Sequence, residues 1–222
     1  WAQSVGPRVF ARIAALEHQL IAPIPHAELG LTLLGLWLLV PLSPETLLFG
    51  AGDLRQMLGL TGAVPFAAES FVMIEACITA FNAVAVGLIV RMLCARLLVA
   101  YLIVPLFLLL CLTVATLAAA ILISPADALA WLTPGVRLGL LVGTAILTGA
   151  LALPATPRLM IAALALMAGT GLLNLAPPNP YSAAALATWR QGHFLNFNGL
   201  TRLVATLWPF LTLPFLLLTS RR

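Results

Sequence analysis

The sequence has no lysine and little charge of any kind. Of 222 residues only 8% are charged, and all 11 basic residues are arginine. A soluble domain usually carries about 25% charged residues, so an ordinary water-facing surface is excluded. Disorder is excluded as well, because it needs low hydrophobicity and high charge. The arginines stand singly or in pairs between apolar blocks. That scatter forms no basic patch, which argues against a nucleic-acid partner and suits topology signals instead. Cysteine is scarce: Cys77, Cys94 and Cys111, with no C-x-x-C pair. An odd count at such spacing makes neither a disulfide framework nor a zinc site, and all three read as small buried hydrophobes. G-x-S-x-G, H-E-x-x-H and P-loop motifs are missing too. A non-enzymatic protein is expected, with no cofactor and no metal.

What the chain does have is apolar length, since 62% of it is hydrophobic. A membrane helix needs about 20 mostly apolar residues. Six runs approach this: 29–42 (with a start as early as Ala27), 68–90, 97–122, 136–153, 159–175 and 203–218. The expected fold class is therefore all-α, a polytopic membrane helix bundle of about six transmembrane helices. Residues 154–158 read as a tight hairpin between the fourth and fifth spans. Pro105 and Pro214 fall inside spans and are expected to kink them. No secretory signal peptide is evident at the start. Instead, residues 1–26 read as a separate N-terminal segment in which Val9, Phe10, Ile13, Leu16 and Leu20 share one face of an interfacial helix. Residues 27–222 make the six-helix domain, with three longer outer loops. A further short element is expected at 182–190.

Six spans put both termini on one side. That side collects Arg8, Arg12, Arg91, Arg96, Arg158, Arg221 and Arg222, against Arg55, Arg137, Arg190 and Arg202 on the other. The positive-inside rule then predicts cytoplasmic termini in a bacterial inner membrane. The expected partners are the lipid bilayer and, in one reading, other transmembrane subunits.

Polar residues within spans are costly to bury and so come first as candidates. Glu75 and Asn82 lie seven residues apart on one face of the second span. They read either as a polar seam lining a cavity or ion path, or as helix–helix hydrogen bonding, with Asn174, Thr113 or a backbone carbonyl as partners for Glu75. Gly50-Ala51-Gly52-Asp53 matches the G-x-G-D pattern of intramembrane aspartyl proteases. That chemistry needs two carboxylates at one depth. The only other aspartate, Asp127, lies in a loop, so the glycines read better as a turn before a short helix begun by Asp53. His18, His26 and His193 all lie outside span centres, which argues against haem. The richest polar stretch is the last outer loop. It holds Trp189, Arg190, His193, Asn196 and Asn198, and Asn196-Phe197-Asn198-Gly199 suggests a specific turn. With Asp53 and Arg55 these residues form a candidate ligand or partner surface, and the competing reading is a structured loop that caps the bundle.

Two segments carry a resemblance. Asn174-Leu175-Ala176-Pro177-Pro178-Asn179-Pro180-Tyr181, continued by Thr188-Trp189-Arg190-Gln191-Gly192 and Phe194-Leu195-Asn196-Phe197-Asn198-Gly199-Leu200, resembles the end of long proteobacterial members of the VanZ-like family. Leu47-Leu48-Phe49-Gly50-Ala51-Gly52-Asp53-Leu54-Arg55 is similar to their first outer loop. The resemblance implies a multi-pass envelope membrane protein. The founding member of that family is associated with low-level resistance to the glycopeptide teicoplanin. For the acidic and Asn/Gly signature of shorter members, Asn82 and Gly87 are the nearest matches, and no catalytic residue carries over. The alternatives are an accessory transmembrane subunit of an energy-transducing or photosynthetic complex and, third, a small-solute or ion transporter using Glu75.

Overall fold

The computed structural model describes residues 22–24, 26–43, 46–58, 65–177 and 195–220. The regular elements among them are all helical. They are α1 (Ala27–Trp37), a 3₁₀ turn at Val40–Leu42, α2 (Arg55–Leu58), α3 (Ala68–Leu93), α4 (Leu97–Leu122), a second 3₁₀ turn at Pro125–Asp127, α5 (Pro134–Ala150), α6 (Ala155–Leu175) and α7 (Leu195–Ser220). Four helices, α3, α4, α6 and most of α7, are long and apolar enough to cross a membrane. The stretches Ala27–Leu42 and Pro134–Ala150 are apolar but shorter. The chain is a helical membrane bundle. The expected N-terminal interfacial helix and the element at 182–190 lie outside the described residues.

Here the end where α3 begins is called upper and the end where it finishes lower. The Ala22 N–H donates to Leu93 O at 2.8 Å, so α1 starts at the lower end. From there the helices alternate in direction, and α7 finishes at the lower end, where Phe215 lies against Gly30 of α1. Midway, Trp208 of α7 donates its indole N–H to Leu33 O at 2.7 Å and packs on Trp37, with ring centroids 4.3 Å apart.

Helix α3 is the axis of the bundle. In its most apolar stretch 72% of residues are buried, against 22% in α4. Small residues explain how its neighbours come so close. Gly135, Gly139 and Gly143 of α5 recur every four residues and form one stripe. A Cβ at Gly139 would lie 2.5 Å from Ala76 O, and one at Gly143 would lie 2.9 Å from the Ala80 Cα. The α3 and α5 backbones therefore touch, the small-residue packing through which helices associate in lipid. Farther down the relation inverts, and the Leu147 side chain fills the notch at Gly87.

Several boundaries differ from the sequence-based expectation. Helix α1 stops at Trp37 rather than running to 42, because the chain tightens into the 3₁₀ turn that carries Pro41. The residue before a proline disfavours the α conformation. The tight turn between α5 and α6 is present but lies at 151–154, ahead of the expected 154–158. Pro154 is the N-cap of α6, and Pro157 and Arg158 already belong to its first turn. Proline is tolerated there because first-turn N–H groups have no helical partner. Residues 196–199 are not a turn, but the opening of α7. The same absence of intrahelical acceptors for first-turn N–H groups makes asparagine and glycine tolerable at a helix start.

Candidate functional site

The upper half of the bundle holds its least regular feature. Residues 46–54 run through the interior without forming a helix, and Leu47, Leu48, Phe49 and Ala51 are all buried. Backbone at such a position must find its hydrogen bonds inside the protein. The surrounding helices supply them. The Gly52 N–H donates to Ala205 O of α7 at 2.8 Å. The Asn174 side chain on α6 serves two groups. Its Nδ2 donates to Gly52 O at 2.7 Å, and its Oδ1 accepts from the Leu54 N–H at 3.0 Å. Thr170 donates to Ala51 O at 3.3 Å, and Thr206 donates to Asp53 O at 3.4 Å. Gly52 has φ +89, and a Cβ there would lie 2.6 Å from the Thr170 Cγ2. Both the conformation and the space demand glycine. Phe49 holds φ 63 without that freedom and stores local strain.

Asp53 and Arg55 close this segment. Asp53 Oδ1 accepts from the Arg55 N–H at 3.0 Å, an Asx turn leading into α2. The two side chains form an ion pair at 2.9 Å, each only 14% exposed. Arg55 Nη1 also donates to Ala176 O at the end of α6. A cation there complements the negative end of the helix. Asp127 stands apart, on an exposed turn.

Glu75 is 1% exposed. Its partner is none of those expected from sequence. The Thr133 hydroxyl donates to Glu75 Oε2 at 2.6 Å and accepts from the Val136 N–H at 3.2 Å. The carboxyl thus supports the N-cap of α5 through one intermediary, at the positive end of that helix. Gly135 lies directly against it. Asn82, 0% exposed, faces elsewhere. It donates to Ile78 O of its own helix at 2.9 Å and sits opposite Gly169 of α6. Its Oδ1 has no hydrogen-bond partner among the described residues. The seam read from sequence is therefore divided, Glu75 serving the contact with α5 and Asn82 the contact with α6. Between them Thr79 donates to Leu48 O at 3.5 Å.

Trp189, Arg190 and His193 lie outside the described residues, as do the side chains of Asn196 and Asn198. Among the described residues no cluster of three His, Cys, Asp or Glu is placed to hold a metal, and the cysteines are all free. Sequence reasoning missed Thr133 and Thr170, and offered Asn174 only as a partner for Glu75. Thr133 had a signal, since a Thr-Pro-Gly ahead of an apolar run is an N-cap followed by proline at the first helical position. Thr170 and Asn174 had only their one-turn spacing, which says nothing of the distant chain they hold. No family model, curated protein or solved structure matches the chain.

Proposed function

We propose that the chain is a non-catalytic protein of a bacterial inner membrane that acts at the cell envelope through its upper face, as its resemblance to the VanZ-like family implies. One observation carries this reading. The non-helical segment 46–54 is held in a fixed shape by side chains from three helices, and it delivers Asp53 and Arg55 to the upper rim. Irregular backbone within an apolar bundle is costly to maintain, and where it occurs it commonly lines a functional surface. The ligand of such a face would be an envelope component or a lipid-linked precursor. Glu75 supports the same reading by being engaged elsewhere. Its contact with Thr133 and its cover by Gly135 suit a structural role better than a conducting one.

The test is teicoplanin susceptibility of a host expressing the chain, compared with Arg55→Gln and with a variant substituted at Trp189, Arg190 and His193. The reading expects a shift with the native chain that both variants abolish while still inserting in the membrane. Unchanged susceptibility in all strains would remove it.

A second reading rests on α4. Leu98 and Ile121 are 74% and 73% exposed, near opposite ends of that helix. An apolar face of this length suits a partner helix as well as lipid. Purification in mild detergent with mass and absorption recorded together separates the readings. A fixed-ratio assembly, particularly a coloured one, would favour an accessory subunit.

A further inference from the structure

At the lower end, away from the surface just described, α6 and α7 enclose a cavity of about 360 Å³ together with Ile24 and the end of α3. Its lining is mostly apolar, with Ile24, Met92, Leu159 and Leu216 among the residues that form it. Arg158 and the hydroxyl residues Thr156, Thr219 and Ser220 line it as well. Arg158 is the anomaly. Its Nε and Nη1 are buried, yet neither has a hydrogen-bond partner among the described residues. The neighbouring Arg91 is satisfied by Leu151 O at 3.2 Å and Cys94 O at 3.0 Å and is close enough to repel Arg158. No described carboxylate lies within ion-pair distance of Arg158. A cation with two buried N–H-bearing nitrogens and no anion among the described residues is costly to hold and suits a bound anion. The positive end of α6 points to the same place.

We infer that this cavity is a binding site for an anionic phospholipid, with the phosphate on Arg158 and an acyl chain along the wall made by Leu159, Met92 and Leu216. The site lies at the first turn of an apolar helix long enough to span, the position a headgroup would occupy beside it. Guanidinium matches phosphate in charge and in paired N–H geometry. Basic pockets between membrane helices bind anionic headgroups on this principle. A free phosphate would leave the apolar wall uncovered, which is why the lipid is the occupant.

The experiment uses the full chain, delipidated in detergent, with phosphatidylglycerol, phosphatidylcholine or inorganic phosphate added. Native mass spectrometry and thermal unfolding are the readouts. Phosphatidylglycerol should be retained and should raise the unfolding midpoint, and the other two should do neither. Arg158→Gln should weaken phosphatidylglycerol binding at least about tenfold, as expected when a charge-assisted contact is removed. Without lipid that variant should be at least as stable as the native chain, since a half-buried cation with no ion-pair partner among the described residues is gone. Ala163→Trp should block binding by filling the cavity while leaving every charge in place. Arg137→Gln, at the upper end, should bind as the native chain does. Equal retention of the two lipids, an equal effect of inorganic phosphate, or native binding by Arg158→Gln would each overturn the site. Should Arg158→Gln fail to fold, native binding by Ala163→Trp would overturn it alone.

Discussion

A polar side chain withdrawn from water is costly unless it finds a partner, and buried Glu75 and half-buried Asn174 each hold one. For Glu75 the partner is the Thr133 hydroxyl, which caps α5 in turn. Glu75→Gln keeps an acceptor oxygen at the same position, so its unfolding midpoint in detergent should stay close to native. Glu75→Ala removes the acceptor, leaves a void and loosens the cap, and should cost about 1–3 kcal/mol. Equal loss in both variants would show that the charge matters rather than the hydrogen bond. Asn174 is the more exacting case, because Gly52 O and the Leu54 N–H depend on one amide. Asn174→Ala leaves the buried Gly52 carbonyl and the half-buried Leu54 N–H without this partner, at about 1–3 kcal/mol in all. Asn174→Asp keeps the acceptor for Leu54 and loses the donor to Gly52, so it should fall between native and Ala. The checking measurement is thermal unfolding together with protection of the 46–54 amides from hydrogen exchange. Sequence made Glu75 visible, because an acid in an apolar run has few innocent explanations. Its partner was not visible, since Thr133 stands 58 residues away and one threonine among many carries no label.

At the scale of the helix, apolar runs located the spans and failed at their edges. Hydropathy counts side chains, whereas a helix stops or starts by backbone chemistry. That is why Pro157 looked like a turn and proved to be a first-turn residue, and why 196–199 opens α7. The contact between α3 and α5 obeys a different rule, the absence of side chains. Gly139→Val would place atoms within the Ala76 carbonyl, which belongs to backbone and cannot swing aside. The variant should force α5 away from α3, lower the unfolding midpoint sharply and loosen the Glu75–Thr133 contact at the same time. Gly171 of α6 is the control. Nothing lies within 4 Å of a Cβ there, so Gly171→Ala should be neutral or stabilising by up to about 1 kcal/mol. If the two substitutions behave alike, the glycine stripe is not what sets the distance between these helices. The stripe was legible in principle as three glycines at four-residue spacing. Span-finding passes over it because glycine scores as neither apolar nor polar.

For the molecule as a whole, the arginines of the described residues are evenly divided between the two ends. Arg91, Arg96 and Arg158 lie toward the lower end and Arg55, Arg137 and Arg202 toward the upper. The asymmetry comes from Arg8 and Arg12 ahead of the first span and from Arg221 and Arg222 directly after the last. Charges that flank span ends weigh most in setting topology, so the lower end is predicted to be cytoplasmic. Single introduced cysteines test this cleanly. Cys94 and Cys111 are buried, and burial pushes the Cys94 thiol up despite the opposing pull of Arg91, so these two give little background. Ala126 sits on an exposed turn at the upper end and Ala152 on the exposed turn between α5 and α6 at the lower end. A membrane-impermeant maleimide should label Ala126→Cys in intact spheroplasts, and should reach Ala152→Cys only after the membrane is opened. The reverse pattern would invert the protein, move the Asp53–Arg55 rim to the cytoplasm and remove the proposed envelope role. Labelling of both in intact spheroplasts would put the two positions on one side of the membrane, with an even number of crossings between them, and would count against α5, the helix that joins them, as a full span.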